Sequence, residues 1–270
     1  MSTQNPVYAN DHASSVMRTH SWRTVDNSAA YLKPHIKPDM KILDVGCGPG
    51  SITVDLASRV PNGQVIGIEY VSDPLDQARE LATEKGVSNV EFCVGDIYSL
   101  DYPDDHFDIV HVHQVLQHLA DPIKAIQEMR RVVKPNGGFF AAREAASFTW
   151  YPDFPSFPAW QELTFKLVRD RGGDPCSGSR IHTWAAKGGF EKSKIQCSAG
   201  SWCFNSPEER VYWGGSMGER CTSSGFSKLA IDGGYATAED LERMAKDWED
   251  FKNHDDSWFG ILHGEIICWK

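Results

Sequence analysis

Between residues 41 and 146 the sequence alternates between short apolar runs, rich in β-branched residues, and longer segments with helical periodicity. The apolar runs are KILDV, QVIGIEY, VEFCVGD, FDIVHVHQ and GFFAAREA. Strands that are separated by helices of about 10–15 residues are typical of a parallel sheet with helices on both faces. The pattern therefore predicts an α/β fold with a doubly wound, mostly parallel sheet.

A glycine-rich turn, DVGCGPG, lies between the first predicted strand and the first predicted helix. Gly46, Gly48 and Gly50 allow the backbone to turn sharply and to approach a ligand without a side-chain clash. The helix that follows offers unpaired N–H groups and a partial positive charge. We expect Asp44, at the end of the strand, either to orient the turn or to accept hydrogen bonds from a ligand amine. By itself, such a turn is weak evidence for a ligand site.

Polar residues follow the next three strands in register with this turn. Glu69 lies about 20 residues after the glycines, where an acidic residue accepts hydrogen bonds from ribose hydroxyls. Asp96 ends the third strand and is well placed for an adenine amino group, while Gln114 and Val115 follow the fourth strand. Because the carboxyl ends of parallel strands meet at one edge of a sheet, these residues predict a nucleoside-containing ligand.

Glycine spacing and charge narrow the kind of ligand. The turn reads G-x-G-x-G instead of the dinucleotide pattern G-x-G-x-x-G, and it lacks the lysine of a P-loop. Asp44, Glu69 and Asp96 would repel a diphosphate and attract a cationic sulfonium with an amino-acid tail. The net charge of −10 also argues against a nucleic-acid partner and against binding to an anionic membrane surface.

At these residues the chain resembles the class I S-adenosylmethionine-dependent methyltransferases, and DVGCGPG is similar to their first motif. The resemblance covers about residues 41–146 and implies a seven-stranded sheet whose last strand is antiparallel, which the terminal WFGILHGEIICWK fits. It also implies S-adenosyl-L-methionine as the cofactor, with Glu69 on the ribose and Asp96 and Ile97 at the adenine. The segment VLQHLADPIKAIQEMRRVVKPNGGFF resembles the ubiquinone/menaquinone-biosynthesis branch. The expected cofactor-binding residues are Asp44, Gly46, Cys47, Gly48, Glu69, Tyr70, Asp96, Ile97, Gln114, Val115, Trp22 and Arg23.

A narrower resemblance involves the N-terminal HSWRTVDNSAAYLKPHIKPDMKILDVGCGPGSITVDLA and the overall length. Both are similar to small-molecule methyltransferases of filamentous fungi, including gliotoxin dithiol S-methyltransferases. This resemblance implies a hydrophobic secondary metabolite as substrate, with both thiols of a reduced epidithiodiketopiperazine as methyl acceptors. The enzymatic alternative is O- or C-methylation of a polyketide, quinone or sterol. A non-catalytic regulator that binds the cofactor is the other alternative.

We predict a single methyltransferase domain over residues 1–270, divided into four parts. These parts are an N-terminal helical cap at 1–40, a cofactor-binding core at 41–146, a substrate lid insertion at 147–190, and further helices and strands of the sheet at 191–270. The lid is predicted because the regular pattern ends at about Ala146 and an irregular segment rich in aromatic residues, proline and glycine follows.

Aromatic residues of the cap and lid are candidates for covering the ligands. We expect Arg23 to form a bidentate pair with the cofactor's carboxylate and Trp22 to close over the cofactor. The alternative is a surface arginine beside a core tryptophan. The expected substrate-binding residues are Tyr8, Trp150, Tyr151, Phe154, Phe157 and Trp160, with ordinary aromatic packing as the alternative.

Whether catalysis needs a base depends on the acceptor. A thiol with a pKa of about 8.5 is partly ionised at neutral pH, whereas an alcohol or a carbon acid needs a general base. His113 and His118, beside the predicted crevice, are the first candidates. His111, Asp11 and His12 follow them. For each histidine the alternative is a packed or surface position.

Other patterns bear on location and assembly. No apolar run approaches the roughly 20 residues of a membrane span, and the polar N-terminus lacks the apolar stretch of a secretory signal. The seven cysteines form no CxxC pair and no zinc-type cluster with histidines, so we expect reduced thiols and no metal. These features predict a cytoplasmic protein and leave both a monomer and a homodimer open.

Overall fold

Seven strands form one mixed sheet at the centre of the computed structural model, which describes residues 14–270. The strands are β1 (Lys41–Val45), β2 (Gln64–Glu69), β3 (Val90–Val94), β4 (Ile109–His113), β5 (Phe139–Tyr151), β6 (Ile195–Phe204) and β7 (Trp258–Trp269). Their order in the sheet is β3-β2-β1-β4-β5-β7-β6. β1 to β5 pair in parallel, and β7 runs antiparallel to both of its neighbours. The predicted fold class is confirmed, including the antiparallel last strand.

Ten α-helices accompany the sheet within residues 14–270. They are α1 (Ser14–Ser21), α2 (Val25–Ser28), α3 (Ser51–Arg59), α4 (Asp73–Glu84), α5 (Pro122–Val132), α6 (Phe157–Arg169), α7 (Ile181–Lys187), α8 (Pro207–Ser223), α9 (Gly225–Asp232) and α10 (Ala238–Asn253). Because α3 begins directly after the glycine turn, its first N–H groups lie at the carboxyl edge of the sheet. None of the helices in this range is both long and apolar enough to cross a bilayer.

Apolar side chains cover both faces of the sheet. Leu43 and Phe140 pack on one face with the apolar side of α5, and Ile42 and Phe139 pack on the other face with that of α3. Burial on both faces explains why the strands read as continuous apolar runs. The C-terminal strands carry a further cluster, here called the aromatic core, which includes Phe154, Phe157, Trp160, Trp202, Phe204, Trp213, Trp248, Phe251 and Phe259.

The fifth strand is longer than the sequence predicts. The regular pattern ends at about Ala146, but β5 continues to Tyr151 because β7 pairs with it along its whole length. Trp150 lies opposite Phe259 and Tyr151 lies opposite Trp258. The segment predicted as a lid therefore begins inside the sheet.

Candidate functional site

A cavity of about 330 Å³ lies at the carboxyl edge of the sheet, beside the ends of β1, β2 and β4. Open α/β sheets bind their ligands at this edge. Lining residues within 44–52, 68–71 and 95–97 form what we call the glycine side. Lining residues within 145–175 and 202–220, together with Ile261, form what we call the aromatic side. The residues that follow β4 line the cavity as well.

The turn after β1 needs glycine at two positions for different contacts. Gly46 has a φ of 72°, and a Cβ atom there would lie 2.5 Å from Cγ2 of Val115. Gly50 has a φ of 78°, and a Cβ atom there would lie 2.7 Å from the Cβ of Ala78. The turn therefore packs against both the segment after β4 and helix α4, without room for side chains.

Asp44 is buried beneath this turn and is held by two protein groups. Its Oδ1 lies 2.7 Å from Nδ1 of His111, and its Oδ2 accepts a 2.6 Å hydrogen bond from the Thr53 hydroxyl. The contacts join β1 to β4 and to α3. They favour the first of the two roles expected for Asp44, orientation of the turn, although the residue also lines the cavity.

Glu69, the last residue of β2, is hydrogen-bonded to the glycine turn. Its Oε2 accepts a 3.0 Å hydrogen bond from the Gly48 N–H, and its Oε1 accepts one of 2.8 Å from the Tyr70 N–H. Both neighbours, and Cys47, line the cavity with it. The structure thus brings the glycine turn and the carboxylate at the end of β2 together, as their sequence positions predict.

Asp96 is placed differently from Glu69. It is exposed and is not among the cavity-lining residues, and its Oδ1 accepts a 2.8 Å hydrogen bond from the N–H of Tyr98. Its neighbours Gly95 and Ile97 do line the cavity. The carboxylate therefore shapes the loop after β3, while the apolar side chain of Ile97 faces the site.

Gln114 links the N-terminal segment to the C-terminal strand. Its backbone has a φ of 56°, its Oε1 accepts a 3.1 Å hydrogen bond from Arg23, and its Nε2 lies 2.9 Å from Nε2 of His263. The Arg23 guanidinium also lies 5.3 Å from the ring centroid of Trp202, in cation–π geometry. Arg23 therefore reaches the cavity and is not an isolated surface residue.

Glu144 on β5 is a functional candidate that the sequence analysis missed. It is fully buried, and its carboxylate accepts hydrogen bonds of 2.9, 2.8 and 3.3 Å from the N–H groups of Val115, Leu116 and Gln117. Burial raises the pKa of this carboxyl to about 7, against the lowering effect of the three N–H groups. A glutamate within a buried strand is the sequence signal that could have identified it.

His113 lies at the end of β4 and lines the cavity. Its side chain is only 6% exposed, yet neither ring nitrogen has a hydrogen-bond partner among residues 14–270. Burial, and then the charges of Arg23 and Arg143, hold its pKa well below the usual value. His113 is therefore a neutral imidazole that can accept or donate a hydrogen bond to a ligand.

The two histidines near His113 are engaged within the protein. His118 also lines the cavity, and burial followed by the charge of Arg23 lowers its pKa to about 4. Its Nε2 lies 3.2 Å from Nε2 of Gln117. His111 is completely buried against Asp44, which is the structural role considered for it. Asp11 and His12 lie outside the described residues.

Only one of the aromatic residues predicted to contact substrate lines the cavity within residues 14–270, namely Trp160 on α6. Phe157 is fully buried 4.2 Å from the Trp248 ring, and Phe154 packs beside it. Trp150 stacks on Phe259. Helix α10 and strand β7 thus bury Phe157 and Phe154 in the aromatic core and pack against the partly buried Trp150, which is the ordinary aromatic packing considered as the alternative.

Two further residues of the predicted site lie away from the lining. Tyr151, at the end of β5, is 60% exposed. Trp22 contacts the rings of Trp202 and Phe204, both at 5.4 Å, so it anchors the segment before β1 to β6. Tyr8 lies outside the described residues.

Other parts of the chain supply the rest of the aromatic side. Helix α8 presents Trp213, Met217 and Arg220 to the cavity, at the spacing of residues on one helix face. Helix α1 adds Met17, Thr19 and His20 to the lining, and it is tied to α8 by hydrogen bonds from Arg220 and Tyr212. The helical periodicity of α8 predicts which residues share one face of the helix, but not which part of the molecule that face contacts.

Comparison with known proteins supports the assignment of the family. A family model described as a methyltransferase domain matches residues 36–186. An uncharacterized methyltransferase of Schizosaccharomyces pombe is 35% identical over 278 residues, which cover 99% of this chain and 98% of that protein. The probable methyltransferase ltbC of Aspergillus luteorubrus is 30% identical over 285 residues, with the same coverage of the two chains.

The fold is also found in a solved structure. The YcgJ protein of Bacillus subtilis superposes with a TM-score of 0.55 at 22% identity, covering 88% of this chain and 96% of that one. The family match spans β1 to β5, which carry the glycine side of the cavity. The chain therefore belongs to the class I S-adenosylmethionine-dependent methyltransferases.

Proposed function

We propose that the acceptor is a hydrophobic small-molecule metabolite, and that its reacting groups are the two thiols of a reduced epidithiodiketopiperazine such as gliotoxin. The observation that supports this most is the aromatic side of the cavity, where Phe148, Trp160 and Trp213 form the wall. Aromatic walls suit a flat or cyclic apolar molecule better than a peptide or a nucleic acid. Two thiols require two rounds of transfer, with exchange of the cofactor between them.

The glycine side fits S-adenosylmethionine by its charge and contacts. Glu69, already fixed by two backbone N–H groups, would accept hydrogen bonds from the ribose hydroxyls, and Ile97 would pack against the adenine. Arg23 would leave Gln114 to pair with the cofactor's carboxylate. When bound, the cofactor supplies an electrophilic methyl group: the acceptor atom bonds to the methyl carbon while the carbon–sulfur bond breaks and its electron pair returns to sulfur.

A thiol acceptor asks little of the protein in proton transfer. His113 can accept a hydrogen bond from the S–H group and hold the sulfur in place, because both of its ring nitrogens are available. The pKa of His113 lies well below its usual value, so the ring does not keep the proton that the thiol loses. That proton passes to water. This is sufficient for a thiol with a pKa of about 8.5, because part of it is already thiolate at neutral pH.

The second candidate is O- or C-methylation of a polyketide, quinone or sterol. The buried, unbonded ring nitrogens of His113 favour it, since a hydroxyl acceptor depends more on such a partner than a thiolate does. The two candidates differ in the effect of His113→Asn. An oxygen or carbon acceptor would lose nearly all turnover with cofactor binding unchanged, whereas a thiol would retain much of it.

The direct test combines the protein, S-adenosylmethionine and reduced gliotoxin. Mass spectrometry should show products heavier by one and then by two methyl groups. Calorimetry with S-adenosylhomocysteine, done separately, reports the cofactor site alone. Cofactor binding without any mass gain would refute the dithiol substrate and leave the family assignment untouched.

A further inference from the structure

Charge is distributed unevenly around the cavity. Among its described lining residues, the only carboxylates are Asp44 and Glu69, and both belong to the glycine side. The only guanidinium groups that line it are those of Arg23 and Arg220, at or facing the aromatic side. The remaining wall of that side carries no charge and is mostly apolar, with Phe148, Trp160, Phe165, Trp213, Met217 and Ile261.

We propose, as an extension of the proposed function, that the aromatic side selects acidic acceptors, which react as thiolate, phenolate or enolate anions, and rejects ammonium groups. An ammonium group in an apolar pocket needs a carboxylate partner. The aromatic side offers none within residues 14–270 and instead carries the guanidinium group of Arg220, since Arg23 is assigned to the cofactor's carboxylate. An anion meets the opposite situation, because the charge of Arg220 lowers the cost of removing it from water.

The two histidines in the cavity add no negative charge to the acceptor side. Arg23 contributes to the lowered pKa of both His113 and His118, after burial, so both rings stay neutral at physiological pH. A neutral imidazole can hydrogen-bond an acidic S–H or O–H group, but it does not supply the negative charge that an amine substrate requires. The charge of Arg220 and the neutral rings thus act in the same direction.

The test uses three acceptors that share one naphthalene framework: thionaphthol, naphthol and naphthylmethylamine, the last an ammonium ion at neutral pH. Binding is followed by quenching of tryptophan fluorescence in the presence of S-adenosylhomocysteine, and transfer is followed separately with S-adenosylmethionine. We expect the thiol or the phenol to bind at least about tenfold more tightly than the amine. The thiol and phenol arms distinguish sulfur from oxygen acceptors.

Equal or tighter binding of the amine, its methylation at a comparable rate, or no binding of any of the three would overturn the inference. Methylation of reduced gliotoxin and binding of S-adenosylhomocysteine are measured in separate experiments. Failure of this inference is therefore distinguishable from failure of the proposed function.

A pair of variants assigns the effect to a residue. Arg220→Gln removes one cavity charge and should reduce the preference for the acidic acceptors several-fold. Arg18→Gln is the matched control, because Arg18 ties the same two helices through its ion pair with Glu219 but does not line the cavity. It should keep the preference. Equal changes in both variants would show that helix packing, and not the charge of Arg220, sets the selectivity.

Discussion

At the scale of single residues, the glycine side of the cavity depends on the absence of a Cβ atom at position 46. Val115 occupies the place where a side chain at position 46 would begin. The two residues come from different strand ends, so their contact fixes the turn after β1 against the segment after β4. A methyl group at position 46 would push these walls apart.

Gly46→Ala should therefore weaken binding of S-adenosylmethionine by at least tenfold, equivalent to about 1.4 kcal/mol, as measured by calorimetry. The control is Gly86→Ala, because Gly86 has a similar φ of 66° but open space around its Cβ position. It should lower stability by roughly 1–2 kcal/mol and leave cofactor affinity unchanged. Wild-type affinity in Gly46→Ala would contradict this account of the turn.

At the scale of elements, hydrogen bonds to strand β5 hold the segment after β4 in place. The N–H groups of residues 115–117 all donate to the carboxylate of Glu144. Strand β5 therefore fixes the position of a segment that lines the cavity. Protonation of this carboxyl replaces an acceptor by an O–H donor, which faces N–H groups that also donate. The state of Glu144 should therefore affect cofactor binding.

Because burial raises the pKa of Glu144 to about 7, we expect the affinity for S-adenosylmethionine to increase as the pH rises through that value. Glu144→Gln keeps one acceptor oxygen but cannot ionise, so its affinity should not show this step. Titrations between pH 6 and pH 8, roughly centred on the transition, compare the two proteins. The same step in both would mean that another group controls it.

The elements also show how far the sequence could lead. β1, β2 and β4 are apolar runs bounded by turn residues, so the sequence pattern predicts them directly. The candidate ligand-binding residues lie next to the ends of these runs in the sequence, and could therefore be predicted with them. The end of β5 was not predictable in this way. Its last residues are ordered by β7, which lies more than a hundred positions later along the chain.

The aromatic side of the cavity was unpredictable for a related reason. The sequence shows that Phe157 and Trp160 are apolar and lie on one helix, but both could face either a ligand or a neighbouring helix. In the structure α10 buries Phe157 and leaves Trp160 at the cavity. Such a choice depends on which helices meet, and therefore on long-range packing.

At the scale of the whole molecule, buried titratable groups link stability to pH. Burial lowers the pKa of His118 to about 4 and that of His263 to about 2, and it holds that of His113 well below its usual value. The unfolded chain therefore binds more protons than the native state below pH 6.5, and the stabilisation is lost as the pH falls. Glu144 acts in the opposite direction, because its raised pKa favours the native state at lower pH.

Three histidines against one glutamate leave about two protons in excess, so the free energy of unfolding should decrease by about 2–3 kcal/mol per pH unit between pH 6 and pH 5. Urea unfolding at a series of pH values measures this slope. His113→Asn should reduce it by the equivalent of one proton. A flat profile in the wild type would contradict the burial of these rings.

Strand β7 has a consequence for how the molecule is made. It lies between β5 and β6 and pairs with both, so β6 has no neighbouring strand until residues 258–269 are available. On the ribosome, the parallel strands at 41–146 can assemble early, whereas the surfaces around Trp202 and Phe204 must wait for the last stretch of nascent chain. Until then those aromatic surfaces stay open to chaperones and to self-association.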